Sequence, residues 1–304
     1  MRAIVSGPLD ADKQDYLLRD SHFCGVPYGL FDIHQLHRSL ILFGPDDEKD
    51  LMIDPDGIHA VEQYVLAKYY LTSNVYRHRV RQITDQMIIR AICLGIDEDE
   101  VDALRRLYTF DGTDDFFEQY RGWDDARFLA TFGGDDAPGK YSGELLRDLR
   151  GRRLLKRVFS CPLDEFSSVE LRRRLQTLDD LENKVQRGEL ESSIAAILPA
   201  IDGRPVESRF VIVHAYTIRS VRVSSRNDEA SIMVVRDPNP RPFEQESALF
   251  RSINEGYAEG YVEVYAPVTW DTATDKKKLR RDLKGPIREQ IEALSFPQNR
   301  EIQP

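Results

Sequence analysis

The chain has 304 residues, 41% hydrophobic and 31% charged, enough to bury a sizeable core plus a smaller domain, which excludes a disordered chain. A formal charge of -10 disfavours a dedicated binder of nucleic acid or anionic lipid, while leaving room for a local cationic pocket that takes a nucleotide. Three cysteines without a CxxC pair, no run of 18 apolar residues and no signal-peptide core after Val5 read as a reduced, cytoplasmic protein without a membrane span or a disulfide scaffold.

After the Ser6-Gly7-Pro8 break, Tyr16, Leu17 and Phe23 interleaved with charges predict a helix over residues 10–23. Residues 24–29 read as a tight turn, and Asp32 as the cap of a short helix through Arg38. Two short apolar runs, 40–43 and 51–53, predict a two-stranded hairpin. The longest helical periodicity covers 58–94, with Asn74 allowing a local irregularity. Shorter helices are expected over 97–107, 114–120, 124–132, 143–149, 171–186 and 189–198, most with acidic starts that suit helix N-termini. Past residue 204 the pattern changes to β-branched runs at 210–216, 218–223, 232–235 and 261–265, a short helix at 246–253, and a charged terminal helix at 274–294 that Gly285-Pro286 is expected to break or kink. The expected organisation is a mostly α-helical domain over 1–204, with a short β-hairpin near 40–53, followed by a smaller α+β lobe over 205–304.

Asp12, Tyr16, Arg19 and Asp20 recur at helical intervals and form a band on one helix face, placing two carboxylates and a phenol along a groove. Lys13 can bring an ammonium to the same groove, where it would meet a phosphate, and Asp10 lies close enough for a sugar hydroxyl. A second band, Lys68, Thr72, Tyr76 and Arg79, could line the far wall of an anion pocket. The same spacings also describe an exposed helix laced with Asp and Lys and an amphipathic helix whose tyrosines pack, so spacing alone leaves both readings open.

The run from Leu9 to Ser21, LDADKQDYLLRDS, followed by Gly25-Val26, Tyr28-Gly29 and Phe31-Asp32, resembles the segment downstream of the His-Asp signature in HD-domain phosphohydrolases, in particular the deoxynucleoside triphosphate triphosphohydrolase-like branch. The resemblance implies an HD-domain-like helical core and a hydrolase acting on a nucleotide or another phosphorylated small molecule. In that family a His, a His-Asp pair and a late Asp hold a divalent metal, Mn, Mg, Fe or Zn. Asp12 matches the late Asp, as metal ligand and catalytic residue. Lys13, Tyr16 and Asp20 match residues that hold the triphosphate and sugar, and Tyr76, in the Val75 to Arg79 run, matches a second substrate helix. Lys68 stands where nucleotide-hydrolysing members have an arginine, and Thr72 where some have a histidine. Members of this branch often form dimers or tetramers, so a homo-oligomer is an open partner.

One part of the pattern is absent: no His-Asp dipeptide occurs in these 304 residues. A single aspartate cannot fix an ion's geometry. The expected function is therefore a metal-dependent HD-family phosphohydrolase fragment, N-terminally incomplete and weak or empty in metal on its own, whose parent reaction converts a dNTP to deoxynucleoside and triphosphate. The alternative is a catalytically inactive nucleotide-binding or regulatory subunit. His34 and His37 are three apart, but with Asp32 reading as a helix cap they make a poor metal pair. Either way, Asp12 is expected to point inward, with Tyr16 and Asp20 following it along the cavity and Tyr76 opposite.

Overall fold

Asp10, extended at φ -67° and ψ 159°, starts the first long helix by accepting from the Lys13 backbone N–H. In the computed structural model, which describes residues 2–45, 49–201, 203–219, 231–236, 239–253 and 258–294, the chain opens with a single turn, α1 (Arg2–Val5), and then α2 (Ala11–Cys24). Helix α3 (Ile33–Arg38) takes Asp32 as its cap, as expected, and the hairpin forms as β1 (Leu40–Phe43) against β2 (Asp50–Ile53). Helix α4 (Ile58–Leu71) runs into a π-helical turn, Thr72–Tyr76, before α5 (Arg79–Asp97). There follow α6 (Asp102–Tyr108), α7 (Asp114–Arg121), α8 (Asp125–Phe132), α9 (Tyr141–Arg150), β3 (Lys156–Pro162), α10 (Val169–Leu175), α11 (Lys184–Ile197) and β4 (Ile212–Arg219). The described chain closes with β5 (Met233–Val234), β6 (Arg241–Pro242), α12 (Phe243–Glu246), α13 (Ala248–Ile253), β7 (Ala258–Ala266) and α14 (Ala273–Glu292). The fold is thus predominantly helical with an α+β portion. No helix among the described residues is long and apolar enough to cross a membrane.

The chain packs as two units, one of residues 1–78 with 218–259 and one of residues 79–217 with 260–304; residue 204 falls inside the second. In the first unit Leu17 of α2, Leu36 of α3, Ile53 of β2 and Val61, Tyr64 and Leu71 of α4 share a core with Val234, Phe243 and Phe250. Strand β2 pairs in parallel with β5, so the hairpin joins a four-stranded sheet of order β1-β2-β5-β6. That pairing joins segments almost two hundred residues apart and has no local signature in the sequence.

In the second unit β3, β7 and β4 form a sheet in that order, covered by α14 and α11 over Val158, Cys161, Ile194, Val262 and Ile287. Strand β3 lies between expected helices, inside the domain read as mostly helical; its neighbour β7 supplies antiparallel partners from Lys156 opposite Ala266 to Pro162 opposite Tyr261.

Four sequence expectations need correction. The periodicity over 58–94 is two helices, because the π turn and the residues after it interrupt the register. The helix expected from residue 97 starts at Asp102, after Glu100 adopts φ 53°, a backbone that ends an α-helix. The 171–186 helix ends at Leu175, residues 176–183 are turns with a 3-10 turn at Leu181–Asn183, and only its last residues, from Lys184, belong to α11. Pro286 sits inside a continuous α14, held on both sides by the buried Leu283, Ile287 and Ile291. Of the run expected over 218–223, residues 218–219 end β4 and 220–223 lie outside the described residues.

Candidate functional site

The site is built on α2 and the end of α4, both in the first unit. Helix α2 ends on Gly25 at φ 66°, a left-handed backbone that glycine takes without strain, and the buried Ser21 hydroxyl donates to the Val26 carbonyl while accepting from the Gly29 N–H at 3.2 Å. Gly29 presses against α2 so closely that a Cβ would stand 2.0 Å from the Leu17 carbonyl oxygen. This turn fixes the C-terminal half of α2 against α4.

At the end of α4 the hydrogen-bond register widens by one residue. The Arg77 N–H donates to the Thr72 carbonyl at 2.8 Å, an i to i−5 bond, and the Asn74 side-chain amide donates to the Tyr70 carbonyl at 2.9 Å. Such π turns recur at functional sites, where they re-aim a side chain. Here the re-aimed side chain is Tyr76. Its hydroxyl donates to Asp20 Oδ2 at 2.6 Å, and its ring meets Tyr16 edge-on with centroids 6.0 Å apart. Residues 56 positions apart in sequence are thereby joined through a phenol and a carboxylate.

The electrostatics follow from that packing. Burial raises the Tyr76 phenol pKa, and the Asp20 hydrogen bond and charge raise it further. Tyr16 is raised as well, by burial first and then by Asp10, Asp12 and Asp20, so all three carboxylates act on one ring. Both phenols are hydrogen-bond donors at neutral pH.

Asp10 and Lys13 make a local pair at the start of α2. The Lys13 ammonium donates to Asp10 Oδ2 at 2.5 Å and to the Gly7 carbonyl at 2.9 Å. Burial pushes the Asp10 carboxyl up, but Lys13 and the backbone N–H groups of Lys13 and Gly7 outweigh it and hold the pKa below its ordinary value. Asp10 is 4% exposed and works as a helix cap, with its charge met by Lys13.

Asp12 departs from expectation. It is exposed rather than turned inward, because it lies in the first turn of α2 two positions beyond the buried cap; it still shares Tyr16 as a neighbour with Asp20. Lys68 is half-buried in the last turn of α4, its carbonyl accepting from the Thr72 backbone N–H, and Thr72 is half-buried at the start of the π turn. Arg79 begins α5 in the second unit, where with Arg280 it lowers the Lys276 pKa, Arg280 acting most strongly. The even helical spacing of Lys68, Thr72, Tyr76 and Arg79 is therefore interrupted before its last member.

Tyr64 belongs beside this constellation although its spacing was not followed back to it. It lies four residues before Lys68, is 1% exposed, and donates to the Pro8 carbonyl at 2.8 Å, anchoring the entrance to α2. Extending the Lys68–Thr72–Tyr76 interval one turn backward would have found it.

Among the described residues no three His, Cys, Asp or Glu come together as a metal-holding set. His34 and His37 are both exposed, and His37 Nε2 lies 2.7 Å from Gln14 Oε1. Asp12 alone does not satisfy a divalent ion, so the described side chains do not by themselves fit one.

Comparison with known proteins adds a family and a fold. A family model described as HD associated region matches residues 31–277. An uncharacterized protein of Methanocaldococcus jannaschii is 39% identical over 99 residues, covering 33% of this chain and 22% of that protein. The uncharacterized protein YwfO of Bacillus subtilis is 32% identical over 90 residues, covering 30% of this chain and 20% of its own. The matched stretch thus spans about a fifth of either relative's length. Among solved structures, a hypothetical protein from Aquifex aeolicus superposes with a TM-score of 0.58 at 19% identity, covering 93% of this chain and 59% of that one. A phosphohydrolase from Bacteroides thetaiotaomicron gives a TM-score of 0.59 at 21% identity, covering 86% and 62%. At these identities the likeness to the solved structures is one of fold.

Proposed function

Because the chain belongs to the family of HD-associated regions, we propose that α2 and the π turn form the phosphate- and sugar-facing wall of an HD-type phosphohydrolase site, with hydrolysis of a deoxynucleoside triphosphate to deoxynucleoside and triphosphate as the parent reaction. The observation that carries this reading is the Tyr76 to Asp20 hydrogen bond with Tyr16 packed beside it. It brings together the residues that the family resemblance assigns to the sugar and triphosphate, although they lie on two segments 56 residues apart. The fold shared with a phosphohydrolase is consistent with it.

Each residue has a physical task in this reading. Asp20 spends one acceptor position on Tyr76, and a carboxylate offers about four, so it can take a sugar hydroxyl without losing the phenol. The edge-to-face rings of Tyr16 and Tyr76 give the deoxyribose an apolar wall. Lys13 can exchange its bond to Asp10 for a phosphate oxygen, and the backbone N–H groups of Lys13 and Gly7 keep Asp10 satisfied when it does. Lys68 adds a second cation on α4. Asp12 stands exposed at the start of the same helix, and among the described residues no set of three metal-capable side chains forms with it.

A second reading, metal-free nucleotide binding without turnover, is favoured by the absence of a three-ligand set among the described residues. One experiment separates them. Purified chain is incubated with dATP and Mn²⁺, triphosphate release is followed by ion-exchange chromatography, and dATP binding is measured separately in EDTA. Release abolished by Asp12→Ala supports hydrolysis, binding that survives chelation without release supports the second reading, and neither release with Mn²⁺ nor binding in EDTA removes both.

A further inference from the structure

Helix α7 (Asp114–Arg121) buries none of its residues, yet it carries two phenylalanines and a tyrosine. Around it Tyr108 is 52% exposed, Phe110 62%, Phe117 50% and Tyr120 54%. The rings gather on one another instead of on a core: Phe110 lies 5.2 Å from Phe116 and 5.4 Å from Phe117, and Phe116 stacks on Tyr120 at 5.6 Å. Single exposed apolar residues are ordinary, but a contiguous aromatic cluster marks an interaction surface.

Two further observations say what this surface takes. Residues 102–127 hold seven carboxylates, all exposed, against four arginines, so the surface around the aromatic cluster carries net negative charge. The molecule already places a guanidinium on the same surface, with Arg127 lying 4.5 Å over the Trp123 ring. Stacking a guanidinium on an aromatic face within reach of carboxylates is the arrangement that arginine, more than lysine, exploits. Beside it, α6 and α7 enclose a hollow of about 320 Å³ floored by Leu107, Phe116, Tyr120 and Trp123. That is the small end of the ~300–1,000 Å³ range of ligand pockets, room for one apolar anchor.

We infer that this face docks an arginine-rich segment of a partner protein, its guanidinium groups set over the exposed rings and among the carboxylates and one apolar side chain seated in the hollow. The surface lies within residues 102–127 and shares no residue with the candidate nucleotide site, so the inference stands or falls independently of the enzymatic reading. A second copy of this chain docked through the same patch would set two surfaces of net negative charge against each other, which charge repulsion opposes.

The test uses the full chain and a fluorescein-labelled amphipathic peptide of arginine and leucine, with leucine at every third and fourth position, read by fluorescence anisotropy. A matched peptide with glutamate in place of arginine serves as the charge control. The expected result is saturable binding of the arginine peptide that weakens as salt rises and falls at least tenfold in a Phe117→Ser, Tyr120→Ser variant, with no binding of the glutamate peptide. Because α7 buries no residue, this variant should keep the wild-type circular dichroism and melting temperature. Phe23→Ser, removing a phenylalanine that is 81% exposed in the first unit, should leave binding unchanged. Equal binding by wild type and the α7 variant would reduce the attraction to the net charge of the chain and overturn the inference, as would binding of the glutamate peptide or no binding of either.

Discussion

The buried glutamates of the second unit and Asp20 of the candidate site are held in opposite ways. In the second unit Glu191 and Glu263 are buried at 4% and 1% exposure, and each is met by an arginine: Arg90 Nη2 lies 2.5 Å from Glu191, which also accepts from the Val213 N–H, and Arg157 pairs with Glu263, which accepts in addition from Ser160 and Tyr265. In the first unit Asp20 is half-buried and its hydrogen bond comes from a neutral phenol, while Asp12 is exposed. A buried carboxylate matched by a guanidinium has its charge consumed by the fold. A carboxylate held by a phenol keeps its charge and most of its acceptor capacity, and that difference distinguishes a structural acid from one available to a ligand.

The contrast can be broken most severely at Arg90. Arg90→Ala leaves Glu191 buried with only the more distant Arg187, 3.9 Å away, and should cost about 3 kcal/mol of stability, read by urea denaturation. A loss as small as that of a surface ion pair would mean that Glu191 escapes to solvent. Tyr76→Phe should cost less, about 1.5–3 kcal/mol, for a hydrogen bond to a charged acceptor. Asp20→Asn in the same background should then add little, because the two share one interaction; full additivity would show that they do not meet.

Asp10→Asn is milder still and carries a pH signature. The folded-state carboxyl lies below its ordinary value of 3.8, so its stabilising contribution is complete above that value and disappears as pH falls through the lower folded one. Asparagine caps a helix as well as aspartate does, so the variant loses only the charge that meets Lys13, about 0.5–1 kcal/mol at pH 7, and the gap to wild type should close in acid. A gap that widened below pH 4 would contradict the pairing with Lys13. At the weak end, His59→Gln should not shift the melting temperature measurably, since His59 is 89% exposed beside Glu62 and such surface pairs contribute little.

Local signals were legible and long-range ones were not. Asp32 as a cap, the turn at Gly25, the 40–53 hairpin and α7 and α8 within a residue or so all rest on chemistry within a few positions. Strand β3 and the β2 to β5 pairing depend on partners about a hundred or more residues away, so no local pattern announces them. The site shows the same division. The band Asp12, Tyr16 and Asp20 was readable on one helix, and Tyr76 was placed opposite it by resemblance. The π turn that delivers Tyr76 to Asp20 was visible only as the irregularity Asn74 allowed, and the Lys13 to Asp10 pair was hidden because both residues were read as facing a ligand.

The central claim is that Tyr16, Asp20 and Tyr76 form a nucleotide-facing wall, and calorimetric titration of dATP into the chain in EDTA, wild type beside Tyr76→Phe, tests it most directly. The expected result is saturable binding at one site, about tenfold weaker in the variant, equivalent to about 1.4 kcal/mol. No saturable binding, or the same affinity with and without the phenol, would contradict it.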